Sequence, residues 1–207
     1  MTKTELGATL GTTGPKWDAR QLATMAIMLA IGIILSFVEF PILPGVEFLK
    51  YDASFVPSVF VGLLYGGGPG CVVGILIALV HALFSGNIIG AIMNAAIVVV
   101  FVLPPSLIYR KSKSIIAIII GLLVGAIAAT FVAIVMNLLT TPIYLGMPVD
   151  TLFNSLFAGS SFILFGQEIT AASYILVFVL PFNLVKSVIN ILLIFVLQRS
   201  LKSFLEK

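Results

Sequence analysis

Four uninterrupted apolar stretches, residues 21–38, 88–109, 115–139 and 172–198, are each long enough to carry a helix across a lipid bilayer. Such a crossing takes about 17–25 mostly apolar residues. Two shorter apolar stretches, 54–65 and 70–84, lie between the first two, parted only by Gly66-Gly67-Gly68-Pro69, a strong turn signal. Composition agrees: 60% of the 207 residues are hydrophobic, 9% are charged and the mean hydropathy is +1.23. Soluble domains run nearer about 45–50% apolar and about 25% charged, and one this small could not hide so much apolar surface from water. The chain therefore reads as an integral membrane protein: an all-α bundle in which 54–65 and 70–84 form a hairpin of two short or tilted spans, making six helices, with five as the alternative count if they form one broken helix.

Composition also excludes functions. One Cys leaves no intrachain disulfide framework and no multi-cysteine zinc site. One His and eight acidic residues supply little for a metal or catalytic cluster, and the net charge of +3 is not gathered into a stripe that would bind nucleic acid. There is no Gly-x-x-x-x-Gly-Lys-Ser/Thr loop for ATP, no filter sequence of an ion channel, and no inverted repeat of a secondary transporter. Residues 1–19 are polar and carry both signs of charge, and no small-residue cleavage site follows 21–38, so the first helix is expected to be retained.

The basic residues set an expected orientation. With six helices, Lys3, Lys16, Arg20, Arg110, Lys111, Lys113, Arg199, Lys202 and Lys207 fall on one side, which becomes the cytoplasm and holds both termini. Glu39, Glu47, Asp52, Asp150 and Glu168 collect on the other. Residues 1–207 then form a single transmembrane domain, with 1–19 a cytoplasmic segment and 146–171 a long extracellular loop.

Polar groups placed where lipid should not tolerate them are the functional candidates. Lys186 sits near the middle of the last stretch, where a charge costs about 2.5–3.5 kcal/mol unless it faces a cavity or partner. Asn183 and Asn190 share its helical face, and Pro181 kinks that helix and frees a carbonyl. Asn137 ends the fifth stretch, followed by Thr140-Thr141-Pro142-Ile143-Tyr144, in which Tyr144 is either an interfacial anchor or a ligand contact. The loop before residue 54 holds Lys50, the one base on the acidic side, and Asp52, expected to cap the second helix. His81, Ser85, Gly86, Asn87 and Asn94 crowd the same side, His81 more as a packing residue than a ligand. Ala26-x-x-x-Ala30 gives the first helix a small-residue face that lets another helix approach. Hydrogen-bonding groups, a cation and aromatics thus converge on one half of the bundle, describing a pocket for a small polar molecule.

Four of these motifs carry a resemblance: Ala26-x-x-x-Ala30, Leu49-Lys50-Tyr51-Asp52, Asn137-x-x-x-x-Pro142-x-Tyr144 and Pro181-Phe182-Asn183-Leu184-Val185-Lys186. From about residue 20 to 202 the chain resembles the substrate-binding S components of energy-coupling factor (ECF) vitamin transporters, most closely the riboflavin type. The resemblance implies a multi-pass subunit of the bacterial cytoplasmic membrane. It has no catalytic residue, metal or cofactor of its own. It captures a vitamin from outside and docks through Ala26 and Ala30 on a transmembrane T subunit, which two cytoplasmic ATPases drive with ATP. The substrate-binding set is then Lys50, Asp52, Asn94, Asn137, Tyr144, Asn183 and Lys186, with Phe40, Phe48, Tyr51 and Phe182 as walls for a flavin ring. Hydroxymethylpyrimidine and pyridoxine remain alternatives, because Asn87 and Asn94 suit a smaller ring equally well. Outside the family, an intramembrane enzyme or a structural subunit remain as further alternatives.

Overall fold

The computed structural model describes residues 17–43, 49–159, 161–164 and 166–200. Lys3, Lys16, Glu47, Phe48, Lys202 and Lys207 lie outside the described residues.

Helix α1, Ala19–Phe37, starts where the Asp18 carboxylate accepts the Gln21 N–H at 2.6 Å. Beyond it a minimal antiparallel ladder joins β1, Phe40–Pro41, to β2, Lys50–Tyr51. Helix α2, Phe55–Tyr65, has only 11 residues. At 1.5 Å per residue it is roughly 16 Å long, about half the hydrocarbon thickness. Phe55 through Leu63 are all buried, so α2 lies inside the bundle between α1 and the helices that follow. That position lets its first residue start at membrane depth, because protein rather than lipid surrounds it.

The hairpin between the second and third helices is tighter than expected. Only Gly66, at φ +102°, makes the turn, while Gly67, Gly68 and Pro69 form the first turn of α3, Gly67–Ser85. Proline fits there because a first-turn residue has no helical acceptor for the N–H it lacks. The third helix is thus 19 residues and long enough to cross a bilayer, not a short span.

Helix α4, Ile88–Ser112, begins on Asn87, whose side-chain oxygen accepts the Gly90 N–H at 2.8 Å. Helix α5, Ile115–Tyr144, runs 30 residues and so carries Asn137 and Tyr144 on one continuous element. The two helices touch backbone to backbone: a Cβ on Gly121 would lie 2.3 Å from Pro105 Cα, and one on Gly125 would lie 2.7 Å from the Phe101 carbonyl.

The stretch 146–171, expected to be a loop, carries three short elements among its described residues. Helix α6, Thr151–Ala158, precedes a hairpin of β3, Ser161–Leu164, and β4, Gln167–Thr170. Leu152, Phe162 and Leu164 bury themselves against Leu138, Tyr174 and Val179, which explains why a segment mixing Gly and Ser with Phe and Leu folds back on the bundle. The last helical run comprises α7, Ala171–Tyr174, a π-helical turn, Ile175–Val179, and α8, Leu180–Ser200. The π turn sits just ahead of Pro181, where the regular ladder must break.

Among the described residues, five helical runs, counting Ala171–Arg199 as one, are long and apolar enough to span a membrane. Large apolar side chains such as Ile34, Leu83, Ile127, Phe131 and Val196 stand exposed on their outer faces. Exposure on that scale marks lipid contact.

Close packing of α4 on α5 predicts that Gly121→Val lowers thermal stability in detergent by about 1–3 kcal/mol, as overpacking does. Gly68→Ala, with no atom within 4 Å of the added carbon, should stay within about 0.5 kcal/mol of the parent.

Candidate functional site

One end of the bundle encloses a cavity of about 270 Å³, and all seven residues of the expected binding set line it. Each element delivers its contribution by local periodicity. On α4, Gly90, Met93, Asn94 and Ile97 follow i, i+3, i+4, i+7 spacing and so share one wall. On α5, Ala133, Asn137 and Tyr144 do the same, and α8 presents Phe182, Asn183 and Lys186. The strand β2 and the turn into α2 add Leu49, Lys50 and Asp52.

At the base of the cavity two charges meet out of water. Lys186 Nζ lies 3.3 Å from Asp52 Oδ2, with both side chains about nine-tenths buried. The same ammonium sits 4.6 Å from the centre of the Phe55 ring, a cation–π contact. The other carboxylate oxygen, Oδ1, accepts the Ser54 N–H at 2.9 Å. Asp52 was expected to cap α2, but the N-cap is Ser54, with no side-chain cap bond, and the Asp52 bond to the Ser54 N–H only fixes the turn before the helix. Its larger role is as the counter-ion of Lys186, a pairing across 134 positions that no local pattern reveals. Burial alone would raise the Asp52 pKa; the Lys186 charge and the Ser54 bonds outweigh it and hold the carboxyl below its usual range. Beside it, burial and then the Asp52 charge push the Tyr51 phenol up to about 12. Tyr51 therefore stays a donor, to Asn190 Oδ1 at 3.1 Å. Asn190 shares the α8 face but is buried, with its oxygen taken by Tyr51, and does not line the cavity.

The amides are held rather than loose. Asn137 Nδ2 donates to the Ala133 carbonyl at 2.8 Å, while its oxygen accepts from Tyr174 OH at 3.3 Å and Thr141 Oγ1 at 3.4 Å. This leaves the second Asn137 N–H for an incoming acceptor. Asn183 Nδ2 donates to the Val179 carbonyl at 2.8 Å, at the end of the π turn. Its oxygen, like the Asn94 side chain, makes no hydrogen bond among the described residues. Tyr174, fully buried behind Asn137, was not singled out from sequence. Its only signal was a tyrosine inside an apolar helix, whose hydroxyl must find a partner.

At the mouth, Lys50 Nζ bonds Glu39 Oε1 at 2.6 Å across the β1–β2 ladder. The second Glu39 oxygen lies 3.9 Å from His81 Nε2, whose Nδ1 is 3.2 Å from Ser36 Oγ and whose ring stacks on Phe37 at 5.1 Å. Glu39 also lines the cavity and was missed as a site residue, having been read only as one acid of the outer face. Tyr144 OH donates to Asn87 Oδ1 at 2.7 Å, tying the end of α5 to the start of α4. Of the expected aromatic walls, Phe182 lines the cavity; Phe40 and Tyr51 instead meet edge to face beside it, with ring centres 5.6 Å apart. Remote from the cavity, Ala26 and Ala30 are exposed on the outer face of α1.

Removing one partner of a buried ion pair costs about 3–5 kcal/mol because the other is left unpaired. Lys186→Met should therefore destabilise the ligand-free protein by that order, and adding Asp52→Asn should recover more than half. Thermal unfolding of the two single variants and the double variant in detergent measures this. A double variant no better than Lys186→Met would show that the two groups are not coupled.

Residues 20–198 match the family described as "ECF transporter, substrate-specific component". The chain is 28% identical to the riboflavin transporter RibU of Streptococcus thermophilus, over 92% of this chain and 86% of that one. It is also 28% identical to RibU of Staphylococcus aureus, covering 91% and 93%, and 25% identical to the riboflavin transporter FmnP of Bacillus subtilis, covering 91% and 95%. A solved S component of a bacterial ECF transporter superposes with a TM-score of 0.68 at 26% identity, covering 91% of this chain and 98% of that one.

Proposed function

The chain belongs to the family of substrate-specific components of ECF transporters, and on that premise we propose that it is the riboflavin-capturing membrane subunit of such a transporter. The observation that carries this reading is the cavity in which Asn94, Asn137, Asn183 and the Asp52–Lys186 pair converge. An isoalloxazine ring presents a dione edge with acceptors on either side of a donor. The spare Asn137 N–H and the Lys186 ammonium suit those acceptors, the Asn183 oxygen suits the donor, and Phe182 and Ile97 supply apolar wall. The polyol tail then lies toward the mouth, among Glu39, Lys50 and Asn87. No covalent chemistry is required of these groups; they bind, orient and exclude water. One observation favours a second reading: about 270 Å³ is at the small end of ligand cavities, which suits hydroxymethylpyrimidine or pyridoxine held by Asn94.

In the membrane, α2 and α3 form the second and third of six helices, both termini face the cytoplasm, and the cavity opens outward. The basic ends of α4 and α8 support that orientation. Delivery then requires docking on a T subunit powered by two ATPases. The exposed Ala26 and Ala30 on α1 offer a face close enough for a partner helix.

Titration with riboflavin should quench its fluorescence. Asn183→Leu, which keeps the branched outline but removes the acceptor together with the amide bond to the Val179 carbonyl, should weaken binding roughly 10–100-fold, the scale of one lost buried hydrogen bond at about 1–3 kcal/mol. Quenching that is absent in wild type, with pyridoxine or hydroxymethylpyrimidine binding instead, would move the assignment to the smaller rings. Ala26→Trp together with Ala30→Trp should abolish uptake in cells while leaving riboflavin titration of the purified protein unchanged. Uptake that survives would place the docking face elsewhere.

A further inference from the structure

The end of the bundle opposite the cavity's mouth holds a second enclosure, of about 160 Å³, that substrate capture does not use. It lies where α2 and α4 both finish. Leu63, Tyr65 and Gly66 form one side, Ser106 another, and Arg110 and Lys113 the rim. The Ser106 hydroxyl is committed to the Val102 carbonyl at 2.7 Å, so the open chemistry is cationic. Each helix C-terminus brings roughly −0.5 charge. Two such ends offset about half of the two full positive charges, leaving a net charge of about +1 at the rim.

Among the described residues, no carboxylate pairs with the remainder. Among the described residues neither Arg110 nor Lys113 forms an ion pair. Asp18 is the only described acid on the elements at this end, and its carboxylate caps α1. Lys111 and Arg199 add to the positive field.

The backbone at Lys113 is informative. Its φ of +52° is the one left-handed value on a described residue other than glycine, and its N–H closes α4 on the Tyr109 carbonyl at 2.8 Å. Glycine or asparagine would occupy that position at less strain. The Lys113 ammonium, although solvent-exposed, stands 5.0 Å from the centre of the Tyr109 ring, beside the enclosure.

We propose that this pocket between α2 and α4 binds the phosphodiester headgroup of an anionic phospholipid, with Arg110 and Lys113 as its counter-ions. A basic pocket between transmembrane helices at headgroup level is suited to such a ligand, and the lipid annulus supplies it at high local concentration. The inference needs only the membrane setting and is independent of which vitamin is carried.

The test compares protein reconstituted in phosphatidylcholine nanodiscs with and without phosphatidylglycerol, read by thermal unfolding. Phosphatidylglycerol should raise the wild-type midpoint by a few degrees, about 2–4 °C, and Arg110→Gln/Lys113→Asn should lose that rise. Because asparagine accepts the left-handed backbone, the double variant should unfold in pure phosphatidylcholine at or near the wild-type midpoint and bind riboflavin unchanged. An equal phosphatidylglycerol effect in the variant would overturn the proposal; if the variant's midpoint is also lowered by the same amount in both lipids, the two residues act by plain helix capping. Inorganic phosphate reproducing the whole wild-type shift in pure phosphatidylcholine would overturn the lipid assignment.

Discussion

The structure depends on how one ammonium is made tolerable within a bilayer-spanning helix. Lys186 could not stay charged in lipid at acceptable cost, so α8 must turn it inward, and the interior must meet it with an acid. Asp52 does so from just past a two-residue strand, held in place because its other oxygen accepts the N–H of Ser54, the residue before α2. That requirement accounts for α2 being short and buried. The helix must begin beside Lys186, part-way into the bundle, and not at a membrane surface. Phe55, its first residue, completes the cation's surroundings. The space left above the pair, walled by the polar faces of α4, α5 and α8, is the cavity.

The amide groups around that space are fixed by their neighbours. The Tyr174–Thr141–Asn137 network orients one amide and the π turn before Pro181 orients another. A ligand meeting groups already aimed need not itself supply the ordering, which is how a small cavity achieves strong binding. The mouth is different in kind. Lys50 and Glu39 are partly solvated, and an ion pair in that setting is worth about 0–1 kcal/mol, so it can open without disturbing the base.

Much of this could be read from the sequence, for a physical reason: in lipid, length and polarity are constraints on single residues or single helices. The apolar stretches announced the membrane, and Lys186, Asn183 and Asn137 stood out because hydrocarbon penalises each alone. Features that depend on pairs were not legible. Glu39 seemed one more outer acid until the strand register set it against Lys50, and Asp52 could not be matched to Lys186 across 134 positions. Gly66-Gly67-Gly68-Pro69 signals a turn but not that three of its residues begin a helix. The stretch 146–171 carries loop-forming residues, and its helix and hairpin form because tertiary burial of Leu152, Phe162 and Leu164 overrides local preference.

The most direct measurement is the absorption spectrum of the protein purified in mild detergent with no ligand added, taken beside Asp52→Asn/Lys186→Met prepared identically. The account predicts flavin bands in the wild type, released into solution on denaturation, and a colourless variant of unchanged helicity. A wild type that is colourless and leaves added riboflavin fluorescence unquenched, or a variant that retains as much flavin as the parent, would contradict it.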